Sequence, residues 1–535
     1  MRALVSVWDK EGVDAFARGL AELGFEIVSS GGTAAFLAEQ GVRVTSVEEV
    51  TAAPEMLGGR VKTLHPRIHA GILARRDLEE DRAALDEHEI EPFDLVCVNL
   101  YPFASVARRR GVTEAEAVEM IDVGGPSMLR AAAKNFAHVV AVCRPEQYGP
   151  VLASLRAEGR IPLDERRRLA AQAFATTAAY EATIANWFGE TTTFPDQLTL
   201  AFHKVADLPY GENPHQRAAY YREAGARTHL LARVEQRAGK ELSYNNLADL
   251  DAACRVLREF ALPAAVIVKH ANPSGVAVAG TVEEAYDRAL ASDPVSAFGC
   301  VLVVNRRITG ALARRIADHF VEVILAPKYD DDAFEALSAK PALRILCDRE
   351  RRAETPGELG YTRVLGGLLV QDRDREVQER DGMTVACGEL SEHDWGDLLF
   401  AWRVCKHVGS NAIVLAKDLR TIGIGAGQMS RVDAVRLALA KARDHADDLD
   451  GAVLASDAFF PFPDGPQLAL DAGVGGFIQP GGSRRDGEVI DAVRAGGLHG
   501  TGHLGVALRP AGLDDRRHAG VERDVRPVGE REERI

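Results

Sequence analysis

Apolar residues follow two rhythms along this chain: short unbroken runs, and longer stretches spaced three and four apart. Ala3–Val7 is a short run, and Val13, Phe16, Ala17, Leu20 and Leu23 then share one face of a helix that Asp9 is placed to cap. Gly24 closes that helix, Phe25–Val28 reads as a second strand, and Ser30-Gly31-Gly32-Thr33 opens a helix that stops near Gly41. Val42–Val47, Leu95–Leu100 and His138–Val142 are further apolar runs. Strands alternating with helices predict a parallel sheet covered on both faces, so residues 1–195 read as one α/β domain.

Thr191–Phe194 and Pro195 interrupt the pattern, which restarts and echoes itself. Lys269-His270 lies in VIVKHANPSGVAVA and Lys406-His407 in VCKHVGSNAIVLA. Ala291-Ser292-Asp293 stands five residues before Phe298, and Ala455-Ser456-Asp457 five residues before Phe462. The echo predicts two related α/β subdomains, 196–365 and 366–500. From Asp514 to Ile535, 13 of 22 residues are charged with no apolar period, so 501–535 reads as an atypical charged tail.

Composition narrows the function. Among 535 residues, 79 acidic against 64 basic side chains give a net charge of −15, which argues against broad nucleic-acid binding. No apolar run reaches the roughly 20 residues of a membrane span. The N-terminus turns polar too early for a signal peptide, so a cytoplasmic protein is expected. Seven scattered cysteines without a CxxC pair suggest reduced, mostly buried thiols rather than a disulfide framework.

Several clusters carry candidate chemistry. Ser30-Gly31-Gly32-Thr33, between a strand and a helix, offers backbone N–H groups to an anion. Arg60, Lys62, Thr63, His65, Arg67 and His69 follow a glycine pair and suit a phosphate or a developing oxyanion. A metal reading of His65 and His69 is poor, because Pro66 interrupts the helix that would align them. Tyr101 follows an apolar strand, where open α/β sheets bind ligands. Asp122 and Lys134-Asn135 flank a helix-like segment. Lys269-His270 ends another apolar strand, a setting for a general base beside an oxyanion partner. Ser410-Asn411 and Gly423–Gln428 add amide donors, without GxGxxG spacing, a P-loop or zinc-deaminase ligands.

These segments, read together, resemble a known family. SSGGTAAFL, PEMLGGRVKTLHPRIHAGILAR, NLYPF, IDVGGPSMLRAAAKN, PYGENPHQ, ELSYNNLADLDAA, VKHANPSGVA, SDPVSAFG, GSNAIVLAK, IGIGAGQMSR and SDAFFPFPDG occur in the order of the bifunctional purine biosynthesis proteins. That family joins IMP cyclohydrolase to phosphoribosylaminoimidazolecarboxamide (AICAR) formyltransferase. The resemblance implies an α/β fold: a methylglyoxal-synthase-like parallel-sheet domain, then two cytidine-deaminase-like subdomains without zinc. It implies 10-formyltetrahydrofolate as co-substrate, no metal requirement, nucleotide and folate as small-molecule partners, and a homodimer. Carried over by motif, Lys269, His270 and Asn411 would perform formyl transfer, with Tyr210, Asn246, Ser296 and Phe298 lining its pockets. Lys62, Tyr101, Asp122 and Lys134 would perform ring closure, with Ser30, Gly31, Gly32, Thr33, Arg60 and Thr63 holding substrate.

Three departures bear on this. Pro209 stands where the family usually has Arg, Trp8 replaces a small hydroxyl residue, and the chain from Gly497 on lacks the family's Arg-bearing ending. Pro209 and the altered ending imply weaker nucleotide binding in the formyltransferase half unless Arg431 or Arg484 substitutes, whereas Trp8 bears on the cyclohydrolase phosphate pocket. The competing readings are a cyclohydrolase with an impaired second half and a silent homologue kept as a binding partner.

Overall fold

The computed structural model describes residues 1–189, 192–224, 230–348, 359–374, 379–445, 448–496 and 505–509. They form two units, one of Met1–Lys204 with a return segment from Tyr221, the other of Val205–Tyr220 with the rest of the described chain.

The first unit is built on strands β1 (Arg2–Val7), β2 (Glu26–Ser29), β3 (Thr45–Ser46), β4 (Leu95–Asn99) and β5 (Val140–Val142). They pair all-parallel in the order β3-β2-β1-β4-β5. Apolar side chains fill both faces, with Phe16, Leu20 and Leu155 on one and Ile68, Met128 and Leu129 on the other. Helices α1 (Val13–Glu22), α2 (Gly31–Glu39), α3 (Pro66–Leu73) and α4 (Gly124–Lys134) contribute to those two apolar layers. Strand order reverses between β1 and β4, so their C-terminal ends open a crevice.

Local details differ from the sequence pattern. Asp9 does not cap α1: Gly12 is the N-cap at φ 67°, and Asp9 instead accepts the Glu11 N–H at 3.0 Å. Of Val42–Val47 only Thr45–Ser46 is strand, because Ser46 caps a short helix, Val47–Thr51, by accepting the Glu49 N–H. Pro66 does not break a helix but starts α3, where its missing N–H costs nothing, and His65 Nδ1 caps it by accepting the Arg67 N–H.

The second unit is a repeat. Its first half runs β6 (Glu235–Ala238), α5 (Tyr244–Arg258), β7 (Ala264–Lys269), β8 (Asn272–Val278), α6 (Val282–Ser292), β9 (Cys300–Val304), α7 (Gly310–Ala317), β10 (Val321–Ala326), α8 (Asp331–Ser338) and β11 (Arg344–Cys347). Its second half runs β12 (Thr384–Gly388), α9 (Glu392–Cys405), β13 (Ile413–Lys417), β14 (Arg420–Gly425), α10 (Arg431–Asp444), β15 (Val453–Ser456), α11 (Asp464–Asp471), β16 (Gly476–Pro480), α12 (Asp486–Ala495) and β17 (Gly505–Arg509). One 12-stranded sheet joins them in the order β12-β17-β16-β15-β13-β14-β8-β7-β9-β10-β11-β6. The two halves meet where β8 and β14 pair antiparallel at Ala277 and Arg420. α5 and α9 share one apolar layer with Val266, Val268, Trp395 and Phe400.

The repeat is real, but the residues that suggested it are not equivalent. Lys269 ends strand β7, whereas Lys406-His407 follow helix α9; Asp293 precedes β9, whereas Asp457 follows β15. The true match is Glu241-Leu242-Ser243 with Glu389-Leu390-Ser391, each serine capping the next helix. Lys269-His270-Ala271 correspondingly matches Lys417-Asp418-Leu419 at the next hairpin. The tail expected from residue 501 is corrected in part. Gly505–Arg509 pairs with β12 and β16, taking the place β11 holds in the first half, while 497–504 and 510–535 lie outside the described residues.

Helices α6 and α10 lie so close to the sheet that only glycine fits beneath them. A Cβ on Gly275 would sit 2.0 Å from the Ala289 carbonyl oxygen, and one on Gly423 2.1 Å from that of Ala438. Because backbone must move to admit it, Gly423→Ala should destabilise the second unit by about 3 kcal/mol or more. Denaturant titration should show a lowered midpoint, and an unchanged one would contradict this packing.

Candidate active sites

The first constellation lies at the C-terminal ends of β1, β2 and β4. Ser30 precedes α2, its hydroxyl buried without a hydrogen-bond partner, and the first-turn N–H groups of α2 have no helical acceptor. Gly31 has φ 51°, and a Cβ there would sit 2.6 Å from Lys62 Nζ, so Lys62 reaches over this turn. Thr33 Oγ1 accepts the Val7 N–H at 3.1 Å and donates to the Val7 carbonyl at 2.8 Å. Lys10 Nζ donates to Thr33 Oγ1 at 3.2 Å, and burial and then Lys62 lower its pKa against the opposing pull of Asp9. An unpartnered hydroxyl, free N–H groups and two lysines make a cradle for an anion.

Facing Lys62 is an acid–phenol pair. Asp122 Oδ1 accepts the Gly125 N–H at 2.8 Å, and its own N–H donates to Tyr180 Oη at 2.8 Å. Burial raises the Asp122 carboxyl above its ordinary value, although the N–H groups of Gly125 and Tyr101 and the charge of Lys62 oppose it. Burial, then the charge of Asp122, also raises the Tyr101 phenol, which therefore stays protonated near neutral pH. Close approach explains the glycines here: a Cβ on Gly125 would lie 2.3 Å from Asp122 Oδ2, and one on Gly124 2.4 Å from Thr63 Oγ1. Trp8 is half-exposed with its ring 5.0 Å from that of Tyr101.

Other expected members lie apart. Arg60 is exposed and paired with Glu119. Lys134 is the exposed last residue of α4, about 15 Å of helix from Gly124, more than a lysine side chain spans. Its neighbour Asn135 is buried and structural, donating to the carbonyls of Ile72 at 2.7 Å and Ala74 at 3.0 Å. Sequence reasoning passes over Lys10, although its place just past the first strand is a signal for it.

The second constellation lies around the β7–β8 hairpin. Lys269 Nζ donates to the carbonyls of Gly299 at 2.5 Å and Phe298 at 3.2 Å, leaving one donor of three. His270 is exposed on the turn at φ 50°, followed by Ala271 at φ 59°. Asn272 links this turn to the second half: its amide donates to the His270 carbonyl at 3.2 Å and accepts the Gly409 N–H at 2.9 Å. Two residues on, Asn411 Nδ2 donates to the carbonyls of Gln428 at 2.8 Å and Met429 at 3.3 Å.

Arg431 is not a spare arginine. Buried, it holds Asn411 Oδ1 at 2.8 Å, Ser456 Oγ at 2.7 Å and Asp457 Oδ1 at 2.5 Å, fixing the Asn411 amide. Arg484 is exposed. Asn246 is spent on structure: Oδ1 accepts the Ser243 N–H at 3.1 Å and Nδ2 donates to Glu322 at 3.0 Å. Ser296 donates to Asp293 at 2.7 Å, and Lys441 binds the same carboxylate at 2.7 Å. Burial alone would raise Asp293, but these partners hold it below the usual carboxylate value. Phe298 is 69% exposed, its ring 5.0 Å from Phe320, and Tyr210 lies half-exposed in the loop between the strands Phe202–Leu208 and Ala218–Glu223. Cys300, beneath Lys269, is pushed up to about 12 by burial and remains a thiol at neutral pH.

Two family models match the chain, and the boundary between them falls within the first unit. The MGS-like domain matches residues 12–127, and the AICARFT/IMPCHase bienzyme matches residues 132–441. The bifunctional purine biosynthesis protein PurH of Magnetococcus marinus is 50% identical over 509 residues, covering 92% of this chain and 96% of its own. Its namesake in Lacticaseibacillus casei is 50% identical over 493 residues and that in Oceanobacillus iheyensis 47% over 493, each with the same two coverages. The crystal structure of ForH is 38% identical, spanning 35% of this chain and 99% of its own, with a TM-score of 0.33. Identity near one half over nine-tenths of the chain, together with the bienzyme match, places this chain in the family of bifunctional purine biosynthesis proteins.

Proposed function

We propose that the family's two activities, AICAR formyl transfer and IMP ring closure, run in sequence at the two constellations. The observation that carries this reading is their separation: one set lies wholly in the first unit and the other wholly in the second. In formyl transfer, the 5-amino nitrogen of AICAR attacks the formyl carbon of 10-formyltetrahydrofolate. His270 takes the amine proton, the carbon–N10 bond breaks, and tetrahydrofolate leaves with a proton on N10. Lys269 offers its remaining donor to the tetrahedral oxygen, while Asn411 does so by giving up its longer bond, to Met429.

In ring closure the carboxamide nitrogen of the formylated nucleotide attacks the formyl carbon on the same molecule, and water leaves. Both reacting groups are already joined, so positioning supplies much of the rate. Ser30, the Gly31-Gly32 turn, Thr33 and Lys10 hold the phosphate, Lys62 faces the developing oxyanion, and Tyr101 with Asp122 moves protons. We further read the protein as a cytoplasmic homodimer, in which Lys134 can reach a ring-closure site only from a second copy. No helix among the described residues is long and apolar enough to cross a membrane.

Lys62→Ala should slow cyclisation by about 10²–10³, as loss of an oxyanion donor does, when followed as IMP formed from formyl-AICAR. Unchanged turnover would remove Lys62 from the chemistry.

Asp122→Asn should slow cyclisation yet raise the thermal unfolding temperature at neutral pH. In the folded chain the carboxyl binds its proton more tightly than the ordinary value of 3.8, so stability falls as pH rises from there through the raised value. The variant should lose that slope. Thermal scans from pH 4 to 7 that match the parent would contradict a costly buried charge.

His270→Ala should abolish formyl transfer and leave cyclisation intact when both half-reactions are assayed on one preparation. Loss of both in a folded variant would indicate one shared site.

A further inference from the structure

His270 and Ala271 are the two loop residues of the β7–β8 hairpin, and both bear side chains at positive φ. Two-residue hairpin turns of this kind ordinarily use glycine, which this turn lacks. The backbone is held from outside instead: Asp249, buried on α5, accepts the Ala271 N–H at 2.6 Å. The second half repeats the device. Asp418 and Leu419 sit at φ 53° and 58°, and Asp397 accepts their N–H groups at 2.7 and 2.6 Å. Asp249 and Asp397 are each the sixth residue of their helix, α5 and α9. One solution thus serves both turns, but only the first carries the side chain read as the proton acceptor for formyl transfer.

We infer that Asp249 is a positioning residue for formyl transfer, holding the Ala271 amide so that the left-handed turn aims His270 at the nucleotide amine. The inference rests on the reading of His270 as proton acceptor. A reacting group displaced by about 1 Å can lose about 10²-fold in rate, so the effect should appear in kcat rather than in binding.

In the full chain, Asp249→Ala should lower kcat for formyl transfer about 10²-fold, with KM for AICAR and 10-formyltetrahydrofolate within about twofold. Cyclisation by the same preparation should be unchanged. Adding Ala271→Gly, which removes the side chain that resists the left-handed turn, should recover about tenfold. Asp249→Asn, which keeps an acceptor oxygen, should retain most activity. Asp397→Ala should lower thermal stability while sparing formyl-transfer kcat. The inference is overturned if Asp249→Ala keeps kcat within about twofold of the parent. An equal loss in Asp397→Ala would also overturn it, since both aspartates would then be merely structural. His270→Ala run in parallel separates the two ideas. If that variant is active, the reading of His270 falls and the inference with it; if it is inactive while Asp249→Ala is normal, only the inference falls.

Discussion

Two consecutive residues with side chains, held in the left-handed region at the end of a buried strand, are the constraint on which the second unit turns. Each such residue costs roughly 1–2 kcal/mol, and a charge-assisted bond to a buried carboxylate returns about 1.5–3 kcal/mol. That carboxylate must sit at one height on its helix, so the serine-capped start of α5 fixes where Asp249 falls. The close packing of α6 over Gly275 fixes the strand that leaves the turn. Lys269 is then delivered to the Gly299 carbonyl and His270 to solvent. The second half keeps the arrangement with Asp418 on its turn, so the turn geometry does not require a histidine.

The first unit faces a different constraint, bringing two lysines and an acid together at the end of a parallel sheet. Its glycines are spacers. Gly31 leaves room for Lys62, Gly124 for Thr63 and Gly125 for Asp122, so three loops converge where side chains on those positions would exclude one another. Burial of Asp122 and Tyr101 is the cost of that convergence, and it leaves both groups readier to hold a proton than they would be in water.

Much of this was legible in the sequence, for reasons that can be named. Apolar runs separated by amphipathic stretches gave the parallel sheet of the first unit, because burial on both faces writes itself into composition. Strand ends were less legible: Val42–Val47 looked continuous, but Ser46 capped a helix inside it. The doubling of the second unit was visible while its register was not. The paired Lys-His motifs were coincidental, whereas Glu-Leu-Ser before each capped helix marked the true repeat. The strand at Gly505–Arg509 was hidden by its atypical sequence and by the charged residues after it. Motif resemblance named Asn246 and Lys134 without their surroundings, which place one in a capping box and the other at the far end of a helix.

Two chemically separate sites in one chain require a nucleotide that leaves one and enters the other. The most direct test mixes two variants, His270→Ala and Lys62→Ala, and follows IMP formed from AICAR and 10-formyltetrahydrofolate. Neither variant alone should make IMP at an appreciable rate, and the mixture should restore it as formylated nucleotide passes between chains. A mixture as inactive as its components, with both chains folded, would contradict the separation of the sites.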